Sequence, residues 1–237
     1  AAGCRSLASV RRYDVKAGNA FYRGPTDLPG AVPVFPLSGA LLLPGARLPL
    51  NIFEPRYLAM VDHAPCGDRL IGMVQPRFDR QPEEGAEPLL CEIGCLGRLV
   101  SMTETGDGRY LINLQGVCRF RLREEISVET PFRQCQIRPF PEDLQEDRSA
   151  GEVDRVKFLR TLRAYLEANE LEADWQSFLR AENGVLVNGL AMMAPFGPAE
   201  KQALLEAPDL RMRAETLIAI TERILAHKEG DAGRTLQ

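Results

Sequence analysis

Apolar and polar positions along this chain change rhythm once, near residue 140. Before that point apolar residues come in short runs that tend to alternate and are separated by Gly and Pro, and after it they recur every three or four positions. A period of two lines one face of a strand, and a period near 3.6 lines one side of a helix. Val32, Val34, Phe35 and Leu37 make a short apolar strand broken by Pro33 and Pro36. Proline cannot donate to a ladder, so this run predicts an exposed edge or a strand end, as does the run 138–141. After a turn at Pro44-Gly45, Leu48, Leu50 and Ile52 alternate, and Glu54-Pro55 then opens a helix. Pro55 suits the first helical position, Glu54 lies by the positive end of the dipole, and Tyr57, Leu58 and Val61 turn toward a core.

Residues 70–74 read as a buried strand and 76–88 as a polar recognition loop holding Pro82, Glu83, Glu84, Gly85 and Glu87. Runs 96–102 and 109–114 predict a hairpin around the glycines of 103–108. In a further strand, Cys118, Phe120 and Leu122 fall on one face and Arg119, Arg121 and Arg123 on the solvent face, and 132–140 closes the set. Such short, closely spaced strands predict a curled antiparallel sheet or small barrel. Beyond it, a helix over 152–168 carries Val153, Val156, Leu159, Leu162, Tyr165 and Leu166 on one stripe. Shorter helices follow at Trp175 and Phe178, at 185–193 and at 199–206. A last helix turns Ala214, Leu217, Ile218, Thr221, Ile224 and Leu225 inward, and 230–237 is expected to trail off disordered. The fold class is therefore α+β, a sheet followed by a bundle of four or five helices. A boundary is expected at Pro139-Phe140-Pro141.

Charge sharpens this division. Residues 1–140 carry 17 Lys and Arg against 15 Asp and Glu, a net of +2, whereas 141–237 carry 12 against 18, a net of −6. An acidic helical half argues against a broad nucleic-acid footprint. No apolar run approaches the roughly 18 to 20 residues of a membrane span, and no secretory signal opens the chain, so a cytoplasmic location is expected. The six cysteines are too few for a disulfide scaffold in 237 residues and are expected to be reduced.

Several runs occur in order: VFPL at 34–37, LPLNIFEPRYLAMV at 48–61, RLIGMVQ at 69–75 and DGRYLINLQGVCRFRL at 107–122. Together they resemble the N-terminal substrate-binding domain of the Lon ATP-dependent proteases over roughly residues 17–227. The most specific element is Glu54-Pro55-Arg56-Tyr57, followed by 115–120. The resemblance implies a PUA-like curled antiparallel β pseudo-barrel at 17–140 and a C-terminal helical bundle at 141–228, between a flexible tail at 1–16 and a disordered one at 229–237. It also implies recognition of unfolded protein segments or peptides, with a protease or chaperone as a further partner. A homo-oligomer is compatible with it.

Chemistry is sparse. No lysine follows the glycine loop G-x-x-x-x-G-K-[ST] that cradles phosphates, and no serine sits in a G-x-S-x-G elbow, so neither ATP hydrolysis nor peptide cleavage is supported. The reading is a free-standing, noncatalytic module without cofactor or metal. Cys91 and Cys95 are four apart, the wrong spacing for a zinc ribbon and the right one for two buried residues on one strand face. His63 reads as a helix-end residue, and His227 as a dipole complement. Two rivals remain. Arg119, Arg121 and Arg123 offer a basic stripe to RNA, and a hydrolase site assembled from scattered residues is the less favoured alternative. Tyr22, Phe35, Leu37, Phe53, Tyr57 and Phe196 supply apolar surface for a peptide groove. Phe35, Leu37, Phe53, Glu54, Arg56 and Tyr57 are the expected contact residues, with an extended peptide added to a strand edge.

Overall fold

The computed structural model describes residues 14–79, 87–172 and 174–234. A small hairpin comes first, β1 (Val15–Ala17) and β2 (Ala20–Tyr22). Next come β3 (Ala31–Pro36), β4 (Arg47–Ile52), helix α1 (Pro55–His63), β5 (Leu70–Val74), β6 (Ile93–Thr105), β7 (Arg109–Ile126) and β8 (Gln134–Pro139). From residue 141 on, the regular elements are helical: two short 3-10 turns, then α2 (Arg155–Ala168), α3 (Trp175–Arg180), α4 (Asn183–Met193), α5 (Pro198–Glu206) and α6 (Leu210–Arg234).

Strands β3 to β8 form one sheet in the order β4-β7-β6-β5-β3-β8, and β8 also pairs with the far half of β7, so the sheet curls back on itself. Every pair is antiparallel except β3 with β5. Parallel neighbours need a crossover, and the stretch bearing β4 and α1 supplies it. The two runs expected as β3 and β8 edges are not free. Strand β3 pairs β8 through 31–33 and β5 through 34–36, and β8 lies between β3 and β7. Among the described residues the end strand of this sheet is β4.

Strand β7 also differs from expectation, because 109–114 and 118–123 belong to one strand of 18 residues. Gly116, at the changeover from β4 to β8 as partner, is no turn. A Cβ there would lie 2.0 Å from the Leu43 carbonyl oxygen. The bare backbone lets the 43–46 turn cross the strand, fastened by Gly116 N to Ala46 O at 2.8 Å and Gly45 N to Gly116 O at 2.9 Å.

Apolar clusters form on both faces of the sheet. Val32, Val34, Leu70, Val74, Leu96, Phe120, Cys135 and Ile137 fill one. On the other, Phe35, Ile71, Met73, Ile112 and Leu114 join Phe158, Leu162, Tyr165, Val187, Leu204 and Leu217 in a cluster continuous from sheet to helices. All five residues of β5 are buried because its two faces feed both clusters.

That coverage overturns the solvent placement of Arg119, whose side chain is only 3% exposed. It grips the Asp143 carboxylate through Nη2 to Oδ1 at 2.8 Å and Nε to Oδ2 at 2.9 Å. It also donates to the carbonyls of Leu205, Ala207 and Pro208. Arg121 pairs with Glu92 at 2.6 Å, so the basic stripe is not assembled. In α2 the buried stripe is Phe158, Thr161, Leu162 and Tyr165, while Val156 is 69% exposed. Val153 precedes the helix in extended backbone, so its burial does not set the helical phase. Asp154 caps α2 by accepting from Lys157 N at 2.9 Å. Helix α6 continues past Gly230 to Arg234, beyond the expected end.

Candidate functional site

The Glu54–Tyr57 corner builds one wall of a groove of about 500 Å3. Glu54 is extended, with φ −72° and ψ 133°, and its backbone carbonyl accepts from the amides of Tyr57 and Leu58, both at 2.9 Å. Its carboxylate makes no cap. It accepts instead from Arg56 Nε at 3.1 Å, so the start of the helix is held by backbone hydrogen bonds. Pro55 then starts α1 without the loss of a needed N–H. Tyr57, one turn in, lies against the buried Phe35 ring with centroids 4.2 Å apart, and the Arg56 guanidinium stacks 4.6 Å from the Tyr57 centroid.

The floor is apolar, made by Val34, Pro36, Tyr57, Ile126, Val128 and Phe132. Charged groups rim it in compensated pairs. Glu87 takes a hydrogen bond from Arg56 Nη1 at 3.0 Å and lies 3.9 Å from Arg133. Arg133 in turn grips Glu125 through Nε at 2.8 Å and donates to Pro88 O at 2.8 Å. These bonds tie the base of the 76–88 loop to the sheet. The loop residues Pro82, Glu83, Glu84 and Gly85 lie outside the described residues. Burial holds the Tyr57 hydroxyl above its ordinary pKa against the pull of Arg56, so a neutral phenol faces the groove at physiological pH.

Of the six expected contact residues, Arg56 and Tyr57 line the groove directly. Glu54 orients Arg56, and Phe35 is buried beneath Tyr57. Leu37 is half-buried against the core. Phe53 is 61% exposed, with the Arg109 guanidinium 5.9 Å from its ring, and does not line the groove. Tyr22 and Phe196 are buried elsewhere. The wall at 125–133 was not anticipated. It has no periodicity, and its only legible signal is the turn-forming Thr130-Pro131 pair. His63 stacks on Phe132, centroids 5.4 Å apart, which places it behind that wall. Cys91 falls before β6 and is only half-buried, unlike Cys95. Among the described residues, no group of three or more His, Cys, Asp or Glu is arranged to hold a metal ion.

A curled sheet buttressed by helices thus carries a small groove with apolar side chains at its floor and paired charges at its rim. The chain belongs to the ATP-dependent protease La (LON) substrate-binding domain family, whose model matches residues 31–223. Lon protease 2 of Myxococcus xanthus is 28% identical over 205 residues, covering 83% of this chain and 24% of that protein. Lon protease of Parabacteroides distasonis is 30% identical over 213 residues, covering 86% and 25%. The chain thus spans about a quarter of the length of these relatives. Two solved structures share the fold. The N-terminal domain of Mycobacterium avium complex Lon protease aligns with a TM-score of 0.59 at 19% identity, covering 81% of this chain and 98% of that one. The Lon N-terminal domain protein from Xanthomonas campestris aligns at 0.56 and 22%, covering 80% and 97%. Among the described residues no helix is long and apolar enough to cross a membrane.

Proposed function

We propose that this chain is a noncatalytic recognition module that takes an apolar side chain of an unfolded protein segment or peptide into the groove between α1 and the 125–133 wall. The observation that carries this reading is the groove itself, an apolar floor whose rim charges already satisfy one another. Such a site rewards burial of an apolar residue and leaves no strong charge to select a small ionic ligand. Binding at this groove rests on pocket filling, since β3 and β8 are already paired and no residue of the end strand, β4, lines it. Membership of a substrate-binding family supports the same direction. The module works in the cytoplasm, hands its segment to a protease or chaperone partner, and performs no bond cleavage of its own. The RNA alternative loses its main support with Arg119 buried and Arg121 paired.

Fluorescence anisotropy of labelled unfolded peptides, with and without an apolar anchor residue, tests this. Val128 is 39% exposed in the groove, and Val128→Glu should weaken anchor-bearing peptides about tenfold, or ~1.4 kcal/mol. Equal affinity of the two peptide sets, or of the variant and the parent, would refute the groove.

A further inference from the structure

The groove between α1 and the 125–133 wall contains a buried polar group that its surroundings leave unanswered. Tyr57 is only 6% exposed and lines the groove, yet its hydroxyl makes no hydrogen bond with another described residue. Tyr22, buried to a similar degree, has its oxygen taken by Arg98 Nη1 at 3.1 Å. Nor is the Tyr57 oxygen sealed in, because no fully enclosed side-chain nitrogen or oxygen among the described residues lacks a partner. It therefore opens onto the groove. An apolar side chain that fills the floor drives water from this hydroxyl, which then needs an acceptor from the ligand.

Its surroundings select the acceptor. Burial raises the Tyr57 pKa, with Arg56 and Arg133 opposing and Glu54 and Glu87 reinforcing, so the oxygen keeps a proton to donate. The ring rests on buried Phe35 at 4.2 Å and under the Arg56 guanidinium at 4.6 Å, and the influence of Arg133 from the facing wall sets the hydroxyl near the rim. Both rim guanidiniums are committed, and Glu54, Glu87 and Glu125 outnumber them, so a ligand carboxylate meets a net negative rim. A neutral acceptor meets no such penalty. With an apolar anchor on the floor, the first neutral acceptor to reach the rim is a main-chain carbonyl of the segment that carries the anchor.

Resting on the reading of the groove as a peptide site, we infer that the Tyr57 hydroxyl donates to a main-chain carbonyl at or beside the anchor and thereby makes the groove selective for unfolded chain. Carbonyls inside a helix or sheet already accept from backbone amides, so the same apolar residue on a folded surface leaves the hydroxyl dehydrated and unpaired. Tyr57 thus reads free backbone while the floor reads the side chain.

The test compares the full chain with Tyr57→Phe by fluorescence anisotropy. The probes are short end-capped peptides with one Leu among Gly and Ala residues, which offer main-chain acceptors alone, and a control with Gly in place of the Leu. In further probes single amide bonds flanking the Leu are replaced by esters, whose carbonyls accept hydrogen bonds more weakly. Tyr57→Phe keeps the ring contacts and removes no hydrogen bond among the described residues, so its urea midpoint should not fall. It should bind the all-amide Leu peptide about three- to tenfold more weakly. One ester position should weaken binding to the parent by a similar factor and leave binding to Tyr57→Phe within about twofold. Equal affinity of the two proteins, or ester penalties that are the same in both, would overturn this inference while a persisting dependence on Leu left the groove reading intact. A lower urea midpoint would reveal an internal partner for the hydroxyl and overturn it too. Loss of the Leu dependence itself would remove the groove reading and this inference with it.

Discussion

Arg119 shows how a single residue reverses a reading of the chain. Its place in the alternation with Cys118 and Phe120 is as expected, and only the assumption that its face meets water fails. The partner that buries it, Asp143, is 24 residues away and carries no local signal. Burial works against the Arg119 charge, and the contact with Asp143 outweighs it, so its pKa is raised. Removing one member of such a pair strands the other in the interior. Asp143→Ala should therefore cost about 3–5 kcal/mol in urea unfolding, whereas Glu92→Ala, across from half-exposed Arg121, should cost about 1 kcal/mol or less.

The buried thiols add a pH dependence. Burial pushes Cys118 from an ordinary 9.0 up to about 12 and Cys135 up to about 11, and raises Cys95 as well. A group that holds its proton more tightly when folded contributes stability that is complete below the unfolded pKa and is lost as pH rises through the folded one. Stability should hold to about pH 9 and decline between pH 9 and 12, with a shallower decline in Cys118→Ala. A decline of unchanged steepness in that variant would contradict the assignment. Buried Tyr22 and Tyr57, whose pKa values are also raised by burial, slope the same way, so the difference between the two chains is the measurement.

At the scale of elements, what was legible depended on how local the cause is. Alternation and Gly-Pro punctuation placed most strands, and the Glu54-Pro55 signal placed the start of α1, because a strand face or a first helical turn is determined within a few residues. Strand β7 was read as two runs, 109–114 and 118–123, because what sits at Gly116 has no local signal: the bare backbone there makes room for the distant 43–46 turn. Half of the groove was legible in the Glu54–Tyr57 corner. The other half, Val128 and Phe132 among it, comes from an aperiodic loop brought there by the β7–β8 pairing. Gly116→Ala forces a Cβ against the Leu43 carbonyl and should cost about 3 kcal/mol or more by denaturant titration. Gly106→Ala meets nothing within 4 Å and should stay within about 0.5 kcal/mol.

For the whole molecule, the change of rhythm near residue 140 matches a change from strands to helices, yet the apolar cluster runs across it. Gln75 crosses the same line, donating to Gln202 at 3.1 Å and to Pro198 O at 3.0 Å. We expect the sheet and helical parts to unfold in one transition, followed by circular dichroism and by Trp175 fluorescence. Two separated midpoints would show independent domains.

The most direct measurement is a 15N chemical-shift titration of the full chain with an unfolded, anchor-bearing peptide, with the peptide mass followed throughout. The account expects the largest shifts at Tyr57, Val128 and Phe132, saturation with peptide, and an intact peptide at the end. Shifts confined to other surfaces, or cleavage of the peptide by the pure chain, would contradict it.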